Sequence, residues 1–221
     1  AAEAQKPPLP AWDQGAARAF IQQDKGPLFI ASPDQTALDE LAGLGVRYVE
    51  PSSVDKVFQH LVEEDFCDTR AAWLKEQMAS RGLACFSLSA HMDLSRPDSV
   101  DRFRRRLEFA HAIGARIVNS IAGPTNGLAG FQANIPIIGK RAAELGLTLA
   151  LENHGGLTTT LDGMMRPVTG VKTPWFGVNL DTGNFRAASL DEMYADLAKL
   201  APYSLNVQVK VTVGGPDRKR I

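Results

Sequence analysis

A parallel α/β barrel is the fold class that this 221-residue sequence predicts, and three observations carry it. Short apolar runs alternate with longer amphipathic stretches from about Leu28 almost to the end, which is the sequence form of repeated βα units. The strand ends recur at an even step: Asn119 to Glu152 is 33 residues, Glu152 to Asp181 is 29 and Asp181 to Gln208 is 27. One βα unit needs about 30 residues. Finally, successive strands share a parity, with small or polar groups on one face and apolar groups on the other.

In chain order the expected strands are "LFIA" (28–31), "VRYVE" (46–50), "ACFSLS" (84–89), "RIVNS" (116–120), "LTLALE" (147–152), "FGVNLD" (176–181) and "NVQVKV" (206–211). Between them lie helical patterns: "TALDELAGLG", "TRAAWLKEQMASRG", "SVDRFRRRLEFAHAIG", "IIGKRAAELG" and "LDEMYADLAKLA". Several end in glycine, as a helix turning back toward its next strand tends to do. Alternation places Cys85, Ser87, Ser89 and His91 inward on the third strand, with Phe86 and Leu88 outward. On the fifth, Thr148, Ala150 and Glu152 face inward and the leucines outward. Gly177, Asn179 and Asp181 take the inner face of the sixth strand, and Asn206, Gln208 and Lys210 that of the seventh. An open doubly wound sheet would also be parallel, but its central strands read apolar on both faces. A barrel with its active site at the C-terminal strand ends fits the one-sided pattern better.

Hydrophobic residues make up 44% of the chain and charged ones 22%, an ordinary globular composition that argues against disorder and coiled coil. With 24 Lys and Arg against 25 Asp and Glu, the net charge of −1 offers no general attraction for nucleic acid or an anionic membrane. No apolar run approaches the ~20 residues of a membrane span. Cys67 and Cys85 fit neither a disulfide framework nor a metal knuckle. Residues 1–25 are expected to form an Ala/Pro-rich arm with a short helix and 26–221 the barrel, and the start of the chain leaves open whether the protein is cytoplasmic or exported. Arg104 to Arg106 spread around their helix and read as a solvated face. "AGPTNG" (122–127) lacks the Lys and Ser/Thr of a phosphate-binding loop.

Glu152 and Asp181 end consecutive strands, and Gln208 takes the matching place on the next. Each alone reads better as a strand-end group capping its own loop, but three oxygen-bearing side chains in register at one mouth favour a divalent cation site.

The segments "LTLALENHGG", "FGVNLDTGNF" and "NVQVKV", with "LGVRYVEP" and "SLSAHMDL", resemble the sugar phosphate isomerase/epimerase family, which has the xylose-isomerase-like (β/α)8 TIM barrel. The resemblance runs from about Leu28 to Val213. It implies a metal held by a Glu after strand five, an Asp after strand six, a His on strand seven and a Glu on strand eight, which here become Glu152, Asp181 and the position of Gln208. His154 and Asn184 fall where the family binds substrate hydroxyls. Two departures follow. Gln208 replaces the usual His, and the resulting all-oxygen set shifts the expectation toward manganese or magnesium, with zinc or cobalt as alternatives. The chain stops before an eighth strand, so the barrel is expected to be truncated and its last ligand absent.

The implied activity is metal-dependent isomerisation or epimerisation of a keto sugar by proton abstraction next to a carbonyl, with Glu152 as base. A keto-sugar lyase or hydratase on the same site, or a sugar-binding module without catalysis, stays open. An endonuclease of the same barrel class would need more than the four histidines present. The expected partner is a small carbohydrate, with neither nucleic acid nor membrane, and homo-oligomerisation is left open. His91 reads either as a substrate-hydroxyl ligand or as a cap on its own loop, Glu50 either as a hydroxyl anchor or as the partner of Lys210 across the barrel, and Phe185 either as a stacking ring or as core.

Overall fold

The computed structural model describes residues 28–31, 33–55, 58–171, 173, 175–184 and 189–209. The expected N-terminal arm, Lys210 and Phe185 lie outside them. Seven parallel strands form one curved sheet in the order β1 (Leu28–Ala31), β2 (Tyr48–Val54), β5 (Ser87–Asp93), β6 (Ile117–Ile121), β7 (Thr148–Glu152), β8 (Phe176–Asp181) and β9 (Ser204–Gln208). Two short pieces, β3 (Phe58–Gln59) and β4 (Ala84–Cys85), pair with β2. The architecture is that of a TIM barrel curled about halfway. Among the described residues, no strand joins β1 to β9.

Among the described residues, six α-helices cover the outer face: α1 (Gln35–Gly43), α2 (Asp68–Ala79), α3 (Ser99–Ile113), α4 (Leu128–Glu144), α5 (Leu161–Gly170) and α6 (Leu190–Leu200). Local chemistry sets their ends. Asp34, Thr160 and Ser189 each accept a backbone N–H from the first turn of α1, α5 and α6, satisfying donors that a helix start leaves open. Gly114 closes α3 at φ 91°, a left-handed value that a side chain would resist. The sequence suggested that the fourth of these helices starts after Pro136, yet α4 runs through it. Phe131, Ile135, Ile138 and Ala142 are all buried along its inner stripe, and that packing outweighs the one backbone hydrogen bond a proline forfeits.

Strand parity divides the apolar residues into two sets. Leu88, Val118, Leu147, Leu149, Leu151, Val178 and Leu180 face the helices in the main core. Phe86, Ile117 and Ala150, with Leu205 against them, form a separate cluster inside the sheet, at its lower end. Phe86 therefore lies inward and Cys85 outward with the main core, opposite to strict alternation. A β-bulge causes this: Val49 pairs with Cys85 but Ser52 with Ser89, so three steps on β2 span four on its neighbour. Beyond the bulge, Ser87, Ser89 and His91 face inward as expected.

Candidate functional site

Glu152, Asp181 and Gln208 are the last residues of β7, β8 and β9, and Asp181 and Gln208 are directly paired across the two strands. Glu152 is almost wholly buried. Its Oε2 meets His91 Nε2 at 2.6 Å and accepts from Asn179 Nδ2 at 3.1 Å, while Oε1 accepts from Asn184 Nδ2 at 2.8 Å. His91 Nδ1 lies 2.7 Å from the Ser89 hydroxyl. A serine donating to Nδ1 leaves the proton on Nε2, aimed at Glu152. One buried carboxylate is thus held by an imidazole and two amides from three other strand ends and loops.

The tight "ENHGG" turn at the end of β7 builds this corner. Asn153 acts as a side-chain rung between strands, its Nδ2 donating to the Asp181 carbonyl at 2.8 Å and its Oδ1 accepting from the Asp181 N–H at 2.7 Å. The rung fixes Asp181 relative to Glu152. The Thr158 hydroxyl then sits 2.9 Å from the Glu152 carbonyl and 2.8 Å from that of His154, and it accepts the His154 N–H. Gly156, at φ 69°, lies so close to the Gly123 carbonyl that a Cβ would overlap it. The His154 ring stands exposed at the mouth, 6.4 Å from that of His91. Asp181 Oδ1 accepts from the Gly183 N–H at 2.9 Å.

One layer deeper, Glu50 is fully buried and receives three donors: the Ser87 hydroxyl, Asn119 Nδ2 at 2.8 Å and Gln208 Nε2 at 3.3 Å. Burial raises its pKa from 4.5 to about 7 despite these bonds and the nearby His91, with the Glu152 charge adding to the rise. The cross-barrel partner of Glu50 among the described residues is Gln208, whose amide nitrogen is turned to it. The Gln208 carbonyl oxygen remains a potential ligand. Among the described residues, Asn119 Oδ1 and Asn179 Oδ1 are buried acceptors with no hydrogen-bond donor.

A second cluster braces His91 from behind. The Asp55 N–H donates to the His91 carbonyl at 2.9 Å, and the Asp55 carboxylate is gripped by Arg102 at 2.8 Å and Arg106 at 2.6 Å. Glu63 takes Arg102, Arg105 and Arg106 together. Burial pushes the Glu63 carboxyl up, but the hydrogen bonds from the three arginines outweigh it and hold the pKa near 2. The expectation of a solvated arginine face holds for the exposed Arg104 and Arg105 and is corrected for Arg106, which is 0% exposed with its guanidinium 4.8 Å over Phe66. The acidic loop after β2, distant in sequence, supplies the compensating charge.

Beside His91 opens a cleft of about 370 Å³, which Glu152 meets only through its contact with His91. Val54, Met92 and Ile121 supply apolar lining, and Asp55, Asp93, Arg96, Asp98 and Arg102 with the two histidines supply the polar part. The structure brings together Glu152, His91 and Asn184 with the His154 ring 6.4 Å from that of His91, joins Gln208 at the strand end to the deeper Glu50, and leaves Lys210 outside the described residues. Sequence reasoning gave no functional role to Asn179, Ser89, Asn153 or Thr158. Inward parity is a signal for the first two; Asn153 and Thr158 lie in a turn with no periodicity to expose them.

The family model of the xylose isomerase-like TIM barrel matches residues 38–220. The chain belongs to that family. No curated protein sequence matches this xylose isomerase-like chain. Among solved structures it is similar to a xylose isomerase-like TIM barrel protein from Mycobacterium smegmatis in complex with magnesium, with 20% identity, 82% of this chain and 68% of that one covered, and a TM-score of 0.64. It is similar to the 3-keto-D-glucoside 4-epimerase YcjR from E. coli in its apo form (11% identity, 84% and 78% covered, TM-score 0.65). A third is the probable 3-DHS dehydratase AsbF of petrobactin synthesis from Bacillus anthracis (15%, 86% and 74%, TM-score 0.60). At these identities the likeness shows the fold alone. The family includes sugar epimerases and dehydratases.

Proposed function

We propose that this chain carries the site of a metal-dependent isomerase or epimerase of a keto sugar, working by removal of the proton next to the carbonyl. The observation that carries the reading is the buried Glu152 carboxylate, pinned from three sides at the strand-end mouth, with His91 joining it to an open cleft. A carboxylate so fixed is oriented for proton abstraction without the freedom that would cost a flexible base its alignment.

A divalent ion suits the donor chemistry in part. Glu152, Asp181 and Gln208 offer only oxygens on three neighbouring strands, and the buried Asn179 Oδ1 beside them has no donor among the described residues. Among the described residues, however, no three His, Cys, Asp or Glu side chains gather as a ligand group, and both Glu152 oxygens already hold N–H donors, one of which a cation would replace. Held by Glu152, Asp181 and Gln208, a manganese or magnesium ion would supply polarisation of the carbonyl and charge for the enediolate oxygen. The chain's own residues do the rest. Glu152 accepts the proton as the C–H electron pair moves into the enediolate, exchanges it with solvent, and as the acid returns a proton to the adjacent carbon, which completes an isomerisation; an epimerisation needs a second acid on the opposite face. His91 Nε2–H and the Asn179 and Asn184 amides fix which carboxylate lone pair faces the substrate. Ser89 sets the His91 tautomer. His154 and Asn184 stand at the rim for hydroxyls.

The test is exchange of the substrate's α-proton with solvent deuterium, followed by NMR on the full-length protein with manganese and a panel of keto sugars. Glu152→Gln keeps the shape and should lower exchange about 10²–10⁴-fold, with metal content measured on the same sample. A wild type that binds a sugar tightly yet exchanges no proton would replace this reading with a binding module.

A further inference from the structure

Two amides on the inner face of the sheet, next to Glu152, each keep one buried atom without a partner among the described residues. Asn179, on β8, is 0% exposed; its Nδ2 donates to Glu152 Oε2 at 3.1 Å and its Oδ1 has no donor. A carboxylate accepts and does not donate, so the nitrogen is the atom that faces Glu152 and the oxygen faces away. Asn206 is the direct neighbour of Asn179 on β9, and its Nδ2, shut off from solvent, has no acceptor. The two amides do not bond each other. Asn206 shares the inner face with Gln208, two residues on. A β-bulge shapes the spot: Val178 pairs with Ser204 but Asn179 with Asn206, so one step on β8 spans two on β9. The extra residue, Leu205, fills the inner face beside Gly177, where a Cβ would overlap it, and packs on Phe86, Ile117 and Ala150. That floor is apolar and offers the amides nothing.

We infer that Asn179 and Asn206 together bind one hydroxyl oxygen, which donates its proton to Asn179 Oδ1 and accepts from Asn206 Nδ2. The polarity of the pair selects the ligand class. A metal or ammonium cation cannot accept from Asn206. A carbonyl or an ionised phosphate cannot donate to Asn179, and an anion would also lie close to the Glu152 charge. A hydroxyl does both at a single oxygen, and buried polar groups in folded proteins are overwhelmingly satisfied. The hydroxyl is carried by an ordered water or by a bound polyol. Asn179 then relays position from it to Glu152, steadying the same Oε2 that meets His91. The inference needs only the two amides and goes beyond the keto-sugar reading without depending on it.

High-resolution crystal structures of the full-length wild type, alone and soaked with ribitol, test this. An oxygen peak is expected about 2.6–3.2 Å from both Asn179 Oδ1 and Asn206 Nδ2. In the soaked crystal, a peak that stays separate assigns the hydroxyl to water, as does a failure of ribitol to bind; a peak continuous with ribitol density assigns it to the polyol. Calorimetry on Asn206→Leu, which keeps the volume and removes the donor, separates the same two sources: a ribitol hydroxyl predicts about tenfold weaker binding, a water less than about threefold. Three results would overturn the inference: the two amides bonded directly to each other, a side chain from elsewhere in the full-length chain lying between them, or no oxygen within about 3.5 Å of both. A metal peak held by Asn179 Oδ1 alone would do the same. None of these touches the role proposed for Glu152, which the deuterium exchange assay decides separately.

Discussion

At the scale of single residues, Glu152 and Glu50 are two buried carboxylates with different surroundings. Glu152 is ringed by an imidazole and amides at the mouth; Glu50 sits deeper, where burial holds its pKa near 7. A carboxyl whose folded pKa lies above its unfolded value binds its proton more tightly in the native state. Its contribution is therefore complete below the unfolded value of about 4.5 and is lost as pH rises through about 7. Replacing Glu50 with Gln removes that titration. Unfolding free energies measured between pH 4.5 and 8 should fall in the wild type relative to the variant, by roughly 3 kcal/mol over the window. A difference that is flat with pH would show that the three donors around Glu50 keep it ionised throughout. For His91, substitution by Asn removes the imidazole from Glu152 and the link to Ser89; exchange should drop at least tenfold, read in the same deuterium assay.

Among the elements, the α3 arginines and the loop after β2 form one unit. Arg106 lies wholly inside, so removing its partner charges and removing Arg106 itself have different consequences. Arg106→Ala empties a buried site and leaves Asp55 with Arg102 alone, and urea unfolding should show a loss of roughly 3–5 kcal/mol. Arg106→Met, which fills the space over Phe66, should recover a large part of it. The sequence concealed this because "RFRRR" was read from helix geometry alone, and nothing in α3 announces that Asp55 and Glu63 fold back onto it. By contrast β7 and β8 were legible almost to the residue, their leucines and valines alternating with Thr148, Ala150, Gly177 and Asn179. The third strand was legible downstream of Phe86 and misread upstream, since a bulge adds one residue without any change of residue type to mark it. Glu152 and Asp181 were visible as strand-end carboxylates. Asn153 was not, because a side chain that stands in for a rung of the ladder follows no period.

For the molecule as a whole, the parallel α/β architecture followed from the repeat of apolar runs, and the curvature that brings distant strands together could only be seen in space. If Glu152, Asp181 and Gln208 take up a divalent ion, folding and binding are linked, and manganese at a hundred times its dissociation constant should stabilise the native state by about 2.7 kcal/mol. For a chain of this size that corresponds to a rise in Tm of roughly 5–10 °C. Asp181→Asn should abolish most of the rise without activity being measured at all. An unchanged wild-type Tm at millimolar manganese would count against the ion.

The contact between Gln208 on β9 and Glu50 on β2 spans the hollow of the sheet at 3.3 Å. It works as a crossbar. Two side chains meeting there tie the last residue of an edge strand to a buried residue on the far side of the curve, so the curl is held from within as well as by the helices outside. Shortening it with Gln208→Asn removes that tie and loosens β9 from the opposite wall.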